Sequence, residues 1–128
     1  YAGEWLNGAK TGEGTYNYAN GNSYTGSVVN DVRTGEGTMT YADGDVYTGA
    51  WLDGIQHGQG TYTWANGSVY TGEWLNGART GEGTFTWANG NKYVGEWKGG
   101  KKHGRGRYLY LDGTSKEVEF ADGVIIEQ

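Results

Sequence analysis

Along residues 47–52, Tyr47, Gly49 and Trp51 alternate with Thr48, Ala50 and Leu52. A period of two is the mark of a strand that turns one face inward. Asp53-Gly54 follows, with counterparts at Asn7-Gly8 and Asn76-Gly77. Such pairs tolerate the positive φ that twist-matched hairpin turns require. A second strand then runs with Gly58, Gly60, Tyr62 and Trp64 in one phase and Gln59, Thr61 and Thr63 in the other. Asn66-Gly67 turns the chain again. No segment carries helical spacing, and glycine every few residues makes a helix costly.

This two-strand unit recurs. Tyr1, Tyr24, Tyr47, Tyr70 and Tyr93 stand 23 residues apart, and Trp5, Trp51, Trp74 and Trp97 keep the same register. Gly-x-Gly returns at Gly12/Gly14, Gly35/Gly37, Gly58/Gly60, Gly81/Gly83 and Gly104/Gly106. The pattern predicts an all-β protein, an elongated single-layer antiparallel meander of tandem 23-residue hairpins. The repeats span 1–23, 24–46, 47–69, 70–92 and 93–115, with a C-terminal capping hairpin at 116–128. In that last unit Lys116, Val118 and Phe120 replace Tyr, Gly and Trp. No cap-like unit precedes Tyr1, so a chain that truly starts there offers its first strand as an edge for pairing or dimerisation. In a chain cut from a longer array that edge is an artefact. Because Gly3, Gly12 and Gly14 share the phase of Trp5, Tyr16 and Tyr18, a neighbouring ring has room to lie flat on bare backbone, which predicts a stacked aromatic ladder. One hairpin buries too little to stand alone, so each ring must serve the repeats on both sides.

Composition sharpens this. The chain has 128 residues with 26 Gly, 6 Trp and 11 Tyr, and neither Pro nor Cys. Glycine-rich disordered chains lack the aromatics that repay the entropy of ordering, so this one folds. The absence of cysteine excludes disulfides, thiolate nucleophiles and thiolate metal sites, and fits a reducing, cytoplasmic setting. A net charge of −5 argues against nucleic acid or an anionic bilayer as the main partner. No apolar run approaches a membrane span.

Tyr70, Gly72, Trp74, Gly77, Gly81, Gly83 and Gly90 match in full a pattern that resembles the MORN (membrane occupation and recognition nexus) repeat. His57 and His103 keep a histidine frequent before Gly-x-Gly in that family, where Thr11, Thr34 and Thr80 replace it. The resemblance implies a twisted sheet of hairpins with a groove along its length. It also implies an accessory module of the kind found beside lipid kinase and methyltransferase domains, in junctional membrane proteins and in cytoskeletal scaffolds. Such arrays usually bind proteins or dimerise, and anionic phospholipid binding is a further expectation, with membrane association. The second repeat departs from the pattern, with Val28 in the Trp slot and Asp31 in a Gly slot. That is either a notch admitting a ligand side chain or drift in a tolerant array.

Catalytic chemistry finds little footing. His57 and His103 lie two repeats apart, about 19 Å across the strands, too far to share a metal or proton. Glu13 and Glu36 sit about 10 Å apart, near the spacing of inverting glycosidases, but Gln59 and Arg105 fill the same slot elsewhere, as in a solvent-facing ladder. Gly12-Glu13-Gly14 lacks the third glycine and the helix of a nucleotide loop. Asp43-Gly44-Asp45 has too few ligands for calcium. Asn66-Gly67-Ser68 fits a glycosylation sequon but is more simply a repeat turn. The reading is a non-enzymatic chain with no catalytic residue, metal or cofactor.

Two candidate surfaces remain. Tyr16, Tyr18, Tyr41, Tyr62, Trp64, Phe85, Trp87, Tyr108 and Tyr110 share one phase of the second strands. A one-layer sheet leaves part of that face open, either as a groove for an extended peptide or helix of a partner protein or as rings packed on each other. The repeats carry charges of −1, −3, −1, 0 and +3, with −3 on the cap. Lys98, Lys101, Lys102, Arg105 and Arg107 gather in the fifth, either as a site for anionic lipid or acidic peptide or as a solvated loop. Protein scaffolding along the aromatic groove is the expected function, with phosphoinositide-type membrane association as the alternative. Carbohydrate stacking and a purely structural spacer or homodimer are further rivals. Nucleic acid is not expected.

Overall fold

In a computed structural model, which describes residues 2–6 and 8–127, the chain is a meander of strands. The first two repeats contribute β1 (Ala2–Leu6), β2 (Ala9–Asn17), β3 (Ser23–Val29) and β4 (Val32–Thr40). The next two contribute β5 (Val46–Leu52), β6 (Ile55–Thr63), β7 (Val69–Leu75) and β8 (Ala78–Thr86). The fifth gives β9 (Lys92–Lys98) and β10 (Lys101–Leu109), and the last unit gives β11 (Ser115–Ala121) and β12 (Val124–Glu127). All twelve form one antiparallel sheet in chain order. Tyr1, Asn7 and the side chain of Trp5, which the repeat register assigns to the ladder and to the first turn, lie outside the described residues.

Two turn types alternate. Inside the second to fifth repeats and the last unit the hairpin turn has positive φ at both corners, as at Asp53 (50°) and Gly54 (84°), the handedness that matches strand twist. The second repeat keeps this turn without its glycine, holding Asp31 at φ 69°. There the Asp31 carboxylate accepts the backbone N–H of Lys10 at 2.9 Å, so the substitution brings its own tether. Between repeats an Asx turn closes the chain, as where Asn66 Oδ1 accepts the Ser68 amide at 2.9 Å.

The Gly-x-Gly motif does two separate jobs, and simple alternation describes only one. Gly49 opposes Gly60 while Trp51 opposes Gln56, so three residues of β5 face five of β6. The first glycine of the motif sits in this bulge, with Gly58 at φ 74°. Where the first strand carries Glu, its carboxylate satisfies the bulge: Glu73 Oε2 accepts the Glu82 amide at 3.0 Å, and Glu96 Oε2 that of Arg105 at 3.1 Å. The second glycine lies beneath a tyrosine. A Cβ placed on Gly37, Gly60, Gly83 or Gly106 would collide with the ring of Tyr24, Tyr47, Tyr70 or Tyr93 respectively.

Those four tyrosines are fully buried, at 0% exposure. Trp51, Trp74 and Trp97 each pack between the tyrosine of their own repeat and that of the preceding one. Trp74 meets Tyr70 at 5.4 Å and Tyr47 at 5.3 Å, both close to perpendicular. Its indole N–H donates to the Gly60 carbonyl at 3.2 Å, and Trp51 and Trp97 repeat this on Gly37 and Gly83. The ladder is therefore edge-to-face, not stacked as the alternation suggests. Edge-to-face contact aims the positive ring edge at the negative face of the next ring, and it leaves each indole N–H pointing at backbone. Phe120 ends the series against Tyr93 at 5.7 Å. Val28, in the Trp slot of the second repeat, is buried like its counterparts.

Because the second glycine has no positive φ to excuse it, its role is purely steric. Gly60→Ala is expected to destabilise the protein by about 2 kcal/mol through overpacking against Tyr47, read as a lower midpoint in urea. An unchanged midpoint would contradict the ring-over-glycine account.

Candidate functional site

On the phase that carries the ladder, the second strands add an outer row of rings that the sheet only half covers. Tyr41 meets Tyr62 at 5.9 Å, Tyr62 meets Trp64 at 4.6 Å, and Trp64 meets Phe85 at 5.1 Å. Phe85 meets Trp87 at 5.0 Å, Trp87 meets Tyr108 at 5.9 Å, and Tyr108 meets Tyr110 at 6.2 Å. Tyr16 and Tyr18 stack at 5.8 Å at the other end. The structure thus brings the nine candidate aromatics to one face. Met39 interrupts the row in the slot that Tyr16, Tyr62, Phe85 and Tyr108 fill. Beside it lies a hollow of about 370 Å³, bordered by Met39, Tyr41, Trp51, Arg33 and Gln56. The irregularity of the second repeat therefore opens at Met39, not at Val28 or Asp31.

Sequence reasoning missed a second row on this face. Lys10, Arg33, Gln56, Arg79 and Lys102 share one slot of the 23-residue period, and their side chains lie among the rings. Lys10 stands 4.8 Å from the Tyr16 centroid, Arg33 4.9 Å from Trp51, and Arg79 4.6 Å from Trp97. Lys102 is 5.1 Å from both Trp87 and Tyr108 and donates to the Tyr108 hydroxyl at 3.0 Å. Gln56 donates to the Tyr41 hydroxyl at 3.1 Å. The arginines also staple repeats together: Arg33 Nη2 donates to the Gly54 carbonyl at 2.9 Å and Arg79 Nη2 to that of Gly100 at 2.6 Å. Burial pushes the Arg79 guanidinium below its ordinary value. Tabulating the basic residues by repeat position would have revealed the row. Local density instead assigns Lys102 to the fifth-repeat cluster.

That cluster is divided by the sheet. Lys102 faces the rings, whereas Lys101 opposes Lys98 on the other face. Arg107 is paired with Glu117 at 2.7 Å, and Arg105 opposes Glu119. His103 Nδ1 stands 3.9 Å from the Asp122 carboxylate at the far turn. The other face is polar throughout its centre. Thr15, Thr25, Thr38, Thr48, Thr61, Thr71 and Thr84 align across seven successive strands, and hydroxyl pairs such as Thr38–Thr48 meet at 3.2 Å.

A single open sheet of hairpins with one aromatic face and one hydroxylated face is a solenoid-like array that offers a surface more than an enclosed cavity. The MORN repeat model matches residues 1–23, 24–46, 47–69, 70–92 and 93–115, and the chain belongs to the MORN repeat family. A comparison with individual curated proteins gives no match. MORN repeats are non-catalytic modules that typically bind proteins or membranes. Among the described residues no helix is long and apolar enough to cross a membrane.

Burial raises the ladder tyrosines from an ordinary 10.0, to about 12 for Tyr24, Tyr70 and Tyr93. Tyr47 and Tyr62 are raised further, both chiefly by burial, with the Asp45 hydrogen bond adding to it at Tyr62. A phenol whose folded value lies above its unfolded one stabilises the fold fully below pH 10 and loses that contribution as pH rises from 10 to about 12. Ultraviolet titration is accordingly expected to show tyrosinate appearing late, together with loss of the near-ultraviolet dichroism of the rings. All eleven tyrosines ionising near pH 10 with the fold intact would contradict this.

Proposed function

We propose that the protein is a non-enzymatic interaction module that holds a segment of a partner protein, as extended peptide or helix, along its aromatic face. The single observation that carries this is the continuous row of half-covered rings from Tyr41 to Tyr110 on a sheet with no second layer. Rings already seated on one another lose little conformational freedom on binding, and Trp and Tyr combine large apolar area with polar edges. The contact residues in this reading are Tyr16, Tyr18, Tyr41, Tyr62, Trp64, Phe85, Trp87, Tyr108 and Tyr110. Membrane association through Lys98, Lys101, Lys102, Arg105 and Arg107 receives less support. One of the five faces the rings, and Arg105 and Arg107 stand opposite carboxylates.

In a pull-down from source-cell lysate, Trp64→Ala or Trp87→Ala is expected to reduce capture of protein partners far more than Lys101→Ala, and capture should persist at high salt. The reverse ranking, with binding only to acidic liposomes at low salt, would move the function to the basic residues.

A further inference from the structure

The face has a period as well as a composition, and period restricts what can lie along it. Successive repeats advance by two strands, roughly 9.5 Å at ordinary strand spacing. A polyproline II segment makes one turn in three residues and advances about 9.3 Å, so every third side chain returns to the same face in step with the repeats. An extended β-strand covers about 10 Å in three residues, but its third side chain then points away. An α-helix brings a side chain back to the same face after seven residues, about 10.5 Å. It therefore slips by roughly 1 Å per repeat and about 4 Å over four. Closely spaced aromatic rings are also the surface on which polyproline II ligands dock, since the extended chain arrives already ordered.

The cationic row adds sign to this geometry. Arg33, Arg79 and Lys102 stand among the rings, and the same slot in the third repeat holds neutral Gln56. The bond from Arg79 to the Gly100 carbonyl uses Nη2, one nitrogen of a group with five N–H donors. The carboxylates beside Tyr41 and Tyr62 are already engaged: Asp45 accepts from the Tyr62 hydroxyl at 2.8 Å and the Ala65 amide at 2.8 Å, and Asp43 accepts the Asp45 amide at 2.9 Å. An acidic ligand thus meets its complement here, although the chain as a whole is acidic at −5.

We infer that the occupant of the aromatic face is a proline-rich, polyproline II segment with carboxylates at positions i, i+6 and i+9, set opposite Arg33, Arg79 and Lys102. Position i+3, opposite Gln56, is neutral, and a bulky apolar side chain beside position i fills the hollow at Met39. The inference rests on the aromatic-face reading above and narrows it to one ligand chemistry.

The test uses the whole protein and labelled synthetic peptides of about 12 residues, long enough for four turns, read by fluorescence anisotropy at physiological salt. One is proline-rich with Glu at i, i+6 and i+9. A second has the same composition with the last two Glu moved by one residue, a third carries Lys for Glu, and a fourth is an alanine-rich helix with Glu seven residues apart. The in-phase peptide is expected to bind roughly tenfold more tightly than the shifted one. Arg79→Gln, which installs the residue the third repeat already carries, should shrink that difference to the part set by Lys102 at i+9, while thermal unfolding stays cooperative. Equal binding of in-phase and shifted peptides, or preference for the helix or the lysine peptide, overturns the inference. Capture of lysate proteins that depends on Trp64 and Trp87, without any preference for the in-phase peptide, overturns the inference alone. Absence of both overturns the aromatic-face reading with it.

Discussion

Everything in this protein rests on one contact, a tyrosine ring lying on glycine. Each of Tyr24, Tyr47, Tyr70 and Tyr93 covers the space where the second glycine of a Gly-x-Gly pair would carry its Cβ. A one-layer sheet has no opposing layer to bury its rings, so the sheet must bury them in itself. Removing a side chain lets the ring down onto the backbone, where it is shielded by its own strands. For Tyr24, Tyr47 and Tyr70 the tryptophan of the next repeat then seals the ring edge-on and bonds back to the glycine carbonyl, and Phe120 closes over Tyr93. Burial, hydrogen bonding and repeat-to-repeat coupling follow from the one vacancy.

This division leaves a surplus. With the first-strand rings consumed by the ladder, the second-strand rings sit above it, in contact but only half covered. The same slot logic places Arg33, Arg79 and Lys102 among them, where desolvated cation–ring contacts are stronger than at an exposed surface. The opposite face carries a row of threonines through its centre, with exposed aliphatic side chains such as Val29, Leu52, Ile55 and Leu75 toward the hairpin turns. Alternation alone thus puts the ladder and the outer row of rings on one face and the threonines on the other.

The 23-residue period, the hairpins and the shared phase of the aromatics were legible because each is a local spacing of residue types. What escaped was three-dimensional. Alternation treats Gly58 as an ordinary strand residue, whereas it forms a bulge, since a bulge changes register with no change in residue type. Flat stacking was the natural expectation for rings beside glycine, but the indole N–H needs a carbonyl and tilts Trp74 onto edge. The basic residues near the fifth repeat looked like one patch because sequence shows neighbours, whereas the strand turns Lys102 to the face opposite the other four. Met39 passed unnoticed for want of a ring, yet it marks the hollow.

The central claim is that ladder rings hold the fold while outer-row rings are spare for binding. The most direct measurement compares urea unfolding of Trp74→Ala and Trp64→Ala. The account predicts a loss of about 3–5 kcal/mol for Trp74→Ala, in line with other buried aromatics. Trp64→Ala should cost no more than about 1–2 kcal/mol, since its ring is only partly buried. Equal losses, or a larger one at Trp64, would mean the outer row is structural and contradict the account.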